Sequence, residues 1–267
     1  TTLFRSAMSF VTNTDWQAYS GETAMSYLSQ FAVLTTQNFA SAAVGVAALL
    51  AVIRGFSRKE SQTVGNFWVD ITRFTLYVLV PLSMVLTLLM VSQGAVQNFA
   101  PNHVVQGILL PSGPASSQFA ISLLGSNGGG FFGANAAVLF HNPTSLSNLF
   151  ESVAIVLLPA ALVVMFGQMV GRRQAMVIYA VMLGLLGLAV IGTTLSELHL
   201  GQHVAGVAGS TALEGKNVVN GIGLSALWNT LSTAVSNGSV NTSMLANRRL
   251  LGNSMCLQLS SGNQMSF

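Results

Sequence analysis

Charge is scarce in this sequence. Seven acidic and ten basic side chains among 267 residues leave 6% charged positions, against roughly 25% in soluble domains. That shortage, beside 51% apolar residues, excludes a water-facing globular surface and points to an integral membrane chain. Cysteine is nearly absent. Cys256 stands alone, which excludes an internal disulfide framework and a cysteine-rich zinc site. The net charge of +3 comes from basic residues scattered along the chain rather than gathered in a patch, so no nucleic acid partner is expected. No Gly-Lys-Ser/Thr loop occurs, so the chain has no phosphate cradle for a nucleotide. There is no Met at position 1 and no charged, then apolar, leader, and the sequence reads as an internal piece.

What is present is a series of apolar runs. Four are long enough to cross a bilayer, which takes about 20 residues: 31–56, 67–91, 146–170 and 175–195. The first carries Thr35, Thr36, Gln37, Asn38 and Ser41, polar groups that on a spanning helix face a bundle interior. Asp70 and Arg73 are three apart near the start of the second, a spacing that predicts a local ion pair on one helix face. Pro159 lies inside the third run, as membrane helices tolerate. Residues 92–117, with Pro101, Pro111 and Pro114, read as a loop. Arg54, Arg58 and Lys59 occupy one connection and Arg172 and Arg173 another. Alternating spans put both connections on one side, which the positive-inside rule makes cytoplasmic.

Between the second and third spans stands Ser126-Asn127-Gly128-Gly129-Gly130-Phe131-Phe132, preceded by a short apolar segment, 118–125. Successive glycines allow the backbone to turn its carbonyls toward one axis. Non-helical backbone at membrane depth is tolerated where it lines a water-filled path. The stretch therefore reads as a pore loop, with a plain connecting loop as the competing reading. A phosphate-binding loop fails because Phe131 and Phe132 stand where Lys and Ser/Thr would be needed. Similar units recur. Short segments end in hydroxyl, amide and small residues near Thr12–Gly21, Gly125–Gly130 and Ser236–Gly238, and two of them are followed by a span, a basic connection and a second span. Internal repeats in membrane proteins commonly arrange a site on a shared axis. No carboxylate lies within 126–130 or 236–240, and neutral oxygens suit a weakly hydrated monovalent cation better than a divalent one. His103, His141, His199 and His203 fall in connections. His199 and His203 have the spacing of a metal pair but no evident third ligand. Asp15, Glu22 and Glu197 could draw cations to an outer mouth, or serve as ordinary interfacial polar groups.

The stretches Thr12-Asn13-Thr14-Asp15-Trp16-Gln17-Ala18-Tyr19-Ser20-Gly21-Glu22, Gln37-Asn38-Phe39, Gly65-Asn66-Phe67-Trp68-Val69-Asp70, Ser126 to Phe132 and Glu214-Gly215-Lys216 resemble the KdpA family, the potassium-binding chains of bacterial potassium-transporting P-type ATPases. The likeness is read over about 1–241. It implies an all-α integral membrane fold of repeated helix, pore-loop, helix units, similar to potassium channels, with four filter strands around one axis. Carried over by residue, the first filter strand falls on Asn13 and Thr14, with Gln17 behind it. The second falls on Ser126, Asn127 and Gly128, with Gly129 and Gly130 following, and the third on Ser236, Asn237 and Gly238. The resemblance also implies potassium as the bound ion and a bacterial inner-membrane, multi-pass location. A P-type ATPase partner would hydrolyse ATP, and two small accessory subunits would complete the complex. This chain, lacking an Asp-Lys-Thr-Gly phosphorylation motif, would then be a non-catalytic subunit.

The resulting expectation is a membrane domain over 1–242 with pore-loop segments near 11–21, 118–133 and 222–240. Residues 243–267 would form a divergent, unstructured tail, consistent with a shifted frame or truncation that leaves the fourth filter strand out. A self-sufficient potassium channel or ion-coupled transporter, and a non-functional truncated product, are the alternatives.

Overall fold

The computed structural model describes residues 19–57, 64–106, 108–199 and 218–242, together with Phe4 and Lys216. Among them, four helices are long and apolar enough to cross a membrane: α1 (Ser29–Ser57), α2 (Phe67–Ser92), α4 (Ser145–Met169) and α5 (Arg172–His199). Two shorter helices, α3 (Ala115–Leu124) and α6 (Gly221–Ala234), stand between α2 and α4 and after α5 in the chain. The chain is an all-α membrane protein. The sole sheet among the described residues is a hairpin of β1 (His103–Val105) and β2 (Ile108–Leu110), which pairs Val105 with Ile108 inside the stretch read from sequence as loop.

Local chemistry accounts for the helix boundaries. Asn66 opens α2 by accepting hydrogen bonds from the Trp68 and Val69 amides. Thr144 and Ser147 form a reciprocal capping box at the start of α4, which satisfies amides that the first helical turn leaves orphaned. Within α2, Thr75–Leu79 widens into a π-helical turn just before Pro81. Proline has no N–H to donate and its ring crowds the preceding turn. The wider turn accommodates both.

Burial runs opposite to that of a soluble domain. Val177, Val181, Leu185 and Leu188 are exposed along α5, whereas Ser116, Gln118, Ser122, Asn148, Glu151, Asn229, Thr230 and Ser232 are buried. An apolar outside matches lipid, and buried polar side chains can join neighbouring helices, as the Thr193 and Thr230 hydroxyls do. The centre is α3. Nine of its ten residues are buried, and it packs against α1, α2 and α4. Helix α6 packs against α4 and α5 in the same manner. Ala120, Ile121, Leu123, Leu124, Ile155, Trp228 and Leu231 belong to one apolar cluster joining both short helices to the long ones.

One local expectation is overturned. Asp70 pairs not with Arg73 on its own helix but with Arg54 at the end of α1, whose Nη2 donates to Asp70 Oδ1 at 3.0 Å. The packing of α1 against α2 brings the guanidinium across, and its planar fork matches a carboxylate bidentately. The residue three positions along the helix offers no such geometry.

Candidate functional site

Both short helices end in the same way. At the end of α3, the Asn127 amide donates to Ser122 O at 2.9 Å and the Ser126 amide to Leu123 O at 3.4 Å. At the end of α6, the Asn237 amide donates to Ser232 O at 2.8 Å and the Ser236 amide to Thr233 O at 3.2 Å. Ser126 and Ser236 take φ of 52° and 53°. These are Schellman terminations, which require a left-handed residue just past the helix. Glycine usually fills that position, so a serine there holds the strain only because the surroundings fix it. Corresponding residues differ by 110 in number throughout, from Ile121 and Leu231 to Gly128 and Gly238. The two loops are copies of one backbone device.

Past Asn127 and Asn237 the chain returns to left-handed conformations at glycine. Gly128 has φ 59°, Gly129 65° and Gly238 79°, where a β-carbon is penalised. A β-carbon on Gly128 would run into the Asn237 carbonyl oxygen. The second and third predicted filter strands therefore meet backbone to backbone at Gly128 and Asn237. Asn13, Thr14 and Gln17 of the first lie outside the described residues.

The asparagine side chains of these loops are engaged by the scaffold. Asn127 Nδ2 donates to Asn38 O of α1 at 3.1 Å, while its Oδ1 accepts from the Ser41 hydroxyl. Asn237 Nδ2 donates to Ser122 O and Leu123 O of α3 at 3.2 and 3.3 Å. Its Oδ1 accepts from the Ser239 amide at 3.3 Å and from the Ser239 hydroxyl. Each amide thus ties its loop to a different part of the chain. The side chains of Asn127 and Asn237 thus act in the loops as fasteners.

Each loop is also secured where it leaves the glycines. Phe131 and Phe132 are fully buried with Phe119 and Ala115. Gln30 Nε2 donates to Phe131 O at 3.3 Å, and the Gly133 amide donates to Glu22 Oε2 at 2.8 Å. Glu22, weighed from sequence as a cation attractor, holds backbone. After the third loop, Ser239 O accepts from Ser232 Oγ at 2.6 Å and from Trp228 Nε1 at 3.2 Å. Asn241 Nδ2 donates to Asn148 Oδ1 at 2.8 Å, and Asn229 Nδ2 donates to Thr242 Oγ1 at 3.0 Å.

Several buried groups around the loops escaped sequence reading. Glu151, inside α4, is fully buried, with Oε1 2.9 Å from His141 Nε2. The His141 ring stacks on Phe119 of α3, centroids 3.4 Å apart. Asn142 Nδ2 and Asn241 Nδ2 share Asn148 Oδ1. The signal was present: Ser147, Asn148, Glu151 and Ser152 recur at helical spacing within an apolar run, and so mark one polar face. Glu197 binds Lys216. Among the described residues no group of three His, Cys, Asp or Glu side chains could hold a metal ion, and His203 lies outside them.

Known proteins resemble this chain over nearly its whole length. The KdpA family, described as Potassium-transporting ATPase A subunit, matches residues 1–266, and so runs on past the boundary at 242 drawn from sequence. A protein of Listeria monocytogenes serotype 4a (strain HCC23) is 55% identical over 245 residues, covering 89% of this chain and 44% of that protein. A protein of Pseudomonas syringae pv. tomato is 51% identical over 251 residues, covering 89% and 44%. One of Herpetosiphon aurantiacus is 47% identical over 263 residues, covering 90% and 45%. All three are named potassium-transporting ATPase potassium-binding subunit. The chain spans somewhat under half the length of these curated relatives. With four membrane-length helices and two short helices ending in duplicated glycine-bearing loops, the chain belongs to the KdpA family.

Proposed function

We propose that this chain carries part of a potassium-selective filter. It would serve as the potassium-binding and translocating membrane subunit of an ATP-driven uptake complex. The observation that carries the reading is the contact of two duplicated loops at Gly128 and Asn237, with both asparagine amides turned into the scaffold. Main-chain carbonyls of Ser126, Asn127, Gly128, Gly129 and Gly130, and of Ser236, Asn237 and Gly238, replace water around a dehydrated monovalent cation. Asn13 and Thr14, backed by Gln17, supply a further strand of the same ring. Neutral oxygens give enough attraction to strip a weakly hydrated ion and little enough to release it. The loop mouths open on the outer face of a bacterial inner membrane, an orientation supported by the basic connections under the positive-inside rule. Potassium passes from the filter to a P-type ATPase chain, which binds and hydrolyses ATP, with two small accessory subunits completing the assembly.

The test is growth at limiting potassium in cells without high-affinity uptake, supplied with the full-length protein with and without its ATPase partner. Growth only with the partner is expected. Growth without it would favour a self-sufficient channel and sink the pump reading.

A further inference from the structure

One buried ion pair stands directly behind the third loop and has no part in the filter as proposed. Lys216 Nζ lies 2.8 Å from Glu197 Oε2, and both side chains are 3% exposed. Glu197 sits near the C-terminal end of α5. The Lys216 main chain forms an antiparallel bridge with Thr242, four residues beyond Gly238. Thr242 is itself buried, and its hydroxyl accepts from Asn229 of α6. Helix α5 is fastened to α6 a turn earlier, where the Thr193 and Thr230 hydroxyls lie 2.8 Å apart. The descending limb of the third loop is therefore gripped from two sides, by α6 through Asn229 and by α5 through Glu197 and Lys216. Those two grips share one scaffold.

We infer that Lys216 and Glu197 are positioning residues that set the height of the third filter strand and through it the affinity for the ion, an inference that rests on the filter reading above. A buried ion pair is a poor way to gain stability, since well-packed apolar residues serve as well or better. It is a good way to fix a distance, because displacing either partner leaves an uncompensated charge out of water. The carbonyls of a filter need that kind of constraint. Their spacing decides how well they substitute for water, and Gly238, with φ 79°, cannot fix its own position through a side chain.

A competing role for two charges near a cation path is electrostatic, and the two roles separate cleanly. Removing the ammonium would leave a carboxylate that attracts potassium, and removing the carboxylate charge would leave an ammonium that repels it. An electrostatic role thus moves affinity in opposite directions in the two variants. A positioning role moves it the same way in both.

The experiment is potassium uptake by the full-length protein in its complete complex, measuring KM and kcat for Lys216→Met, Glu197→Gln and Lys216→Arg, with Gly128→Ala in the same series. Lys216→Met and Glu197→Gln are expected each to raise KM about tenfold with kcat nearly unchanged, as for loss of one partner of a buried pair. Lys216→Arg keeps the pair and is expected to stay within about threefold of the parent. Glu197→Gln is nearly isosteric and keeps the comparison with Lys216→Arg available if Lys216→Met does not assemble. Opposite shifts in the two charge-removing variants, an unchanged KM in Glu197→Gln, or Lys216→Arg no better than Glu197→Gln would each overturn the inference. The filter reading is judged separately by Gly128→Ala. If that variant binds potassium normally, the filter assignment fails and the positioning role falls with it. If it is impaired while the Glu197 and Lys216 variants behave as the parent, the positioning role alone fails.

Discussion

The second and third loops share a backbone and differ in almost everything that holds it. Both leave a short buried helix through a Schellman turn at a left-handed serine and then enter left-handed glycine. The second is fastened by aromatic burial, with Phe131 and Phe132 packed on Phe119, and by an asparagine that reaches the spanning helix α1. The third has no such aromatic pair. It is fastened by a run of hydroxyls and amides, Ser239, Asn241 and Thr242, each bonded to a buried partner. Backbone geometry is what the two copies have retained in common, and side-chain fastening is free to differ. That pattern is expected where main-chain oxygens do the work and side chains only place them.

The comparison can be broken most severely at Gly128. Alanine there meets both the left-handed strain and the Asn237 carbonyl. A cost of about 3 kcal/mol or more in stability is expected from overpacking plus strain, read as a fall in thermal midpoint with loss of potassium affinity. Gly221, with φ 63° and open space around its would-be β-carbon, is the control. Gly221→Ala has the strain without the collision, at about 1–2 kcal/mol, and is expected to leave potassium affinity intact.

A second pair of variants sharpens the difference between the fasteners. Asn237→Leu strips the side-chain bonds to Ser122 O and Leu123 O, which keep their Schellman amides, and deprives the buried Ser239 amide and hydroxyl of their acceptor, at about 2–3 kcal/mol. Asn127→Leu releases a partly exposed contact with α1 and is expected to cost about half as much. Equal losses of denaturation free energy in the two would remove the distinction drawn between the loops. Smaller still is Ser239→Ala, which loses the hydroxyl bond to Asn237 Oδ1 while the Ser239 carbonyl keeps Trp228 and Ser232. About 1 kcal/mol is expected, with ion selectivity unchanged when potassium is compared with rubidium.

The asymmetry also bears on how much could be read in advance. Spans, breakers and glycine stretches announce themselves because hydropathy and backbone freedom are local properties. The duplication was legible in outline, as similar short segments, but not as the residue-for-residue match of Ser122 with Ser232 and Asn127 with Asn237. Sequence reading assigned Asn127 and Asn237 to the ion. Their side chains fasten the loops, a role that depends on partners 86 to 115 residues away and that leaves the proposed main-chain role untouched. Asp70 was matched to the nearest cation along its helix, and the fold supplied Arg54 from the preceding one.

Composition and periodicity thus determined by themselves that the chain is a membrane protein of long apolar helices, with short helices running into glycine-bearing loops. These features follow from the cost of burying peptide groups in lipid and from the conformations that glycine allows. Only the tertiary structure decided which polar groups meet: Asn237 with α3, Asn127 with α1, Glu151 with His141 and Lys216 with Glu197. The physical reason is that a buried polar atom must find a partner wherever the packing of helices brings one, and separation along the chain says nothing about that.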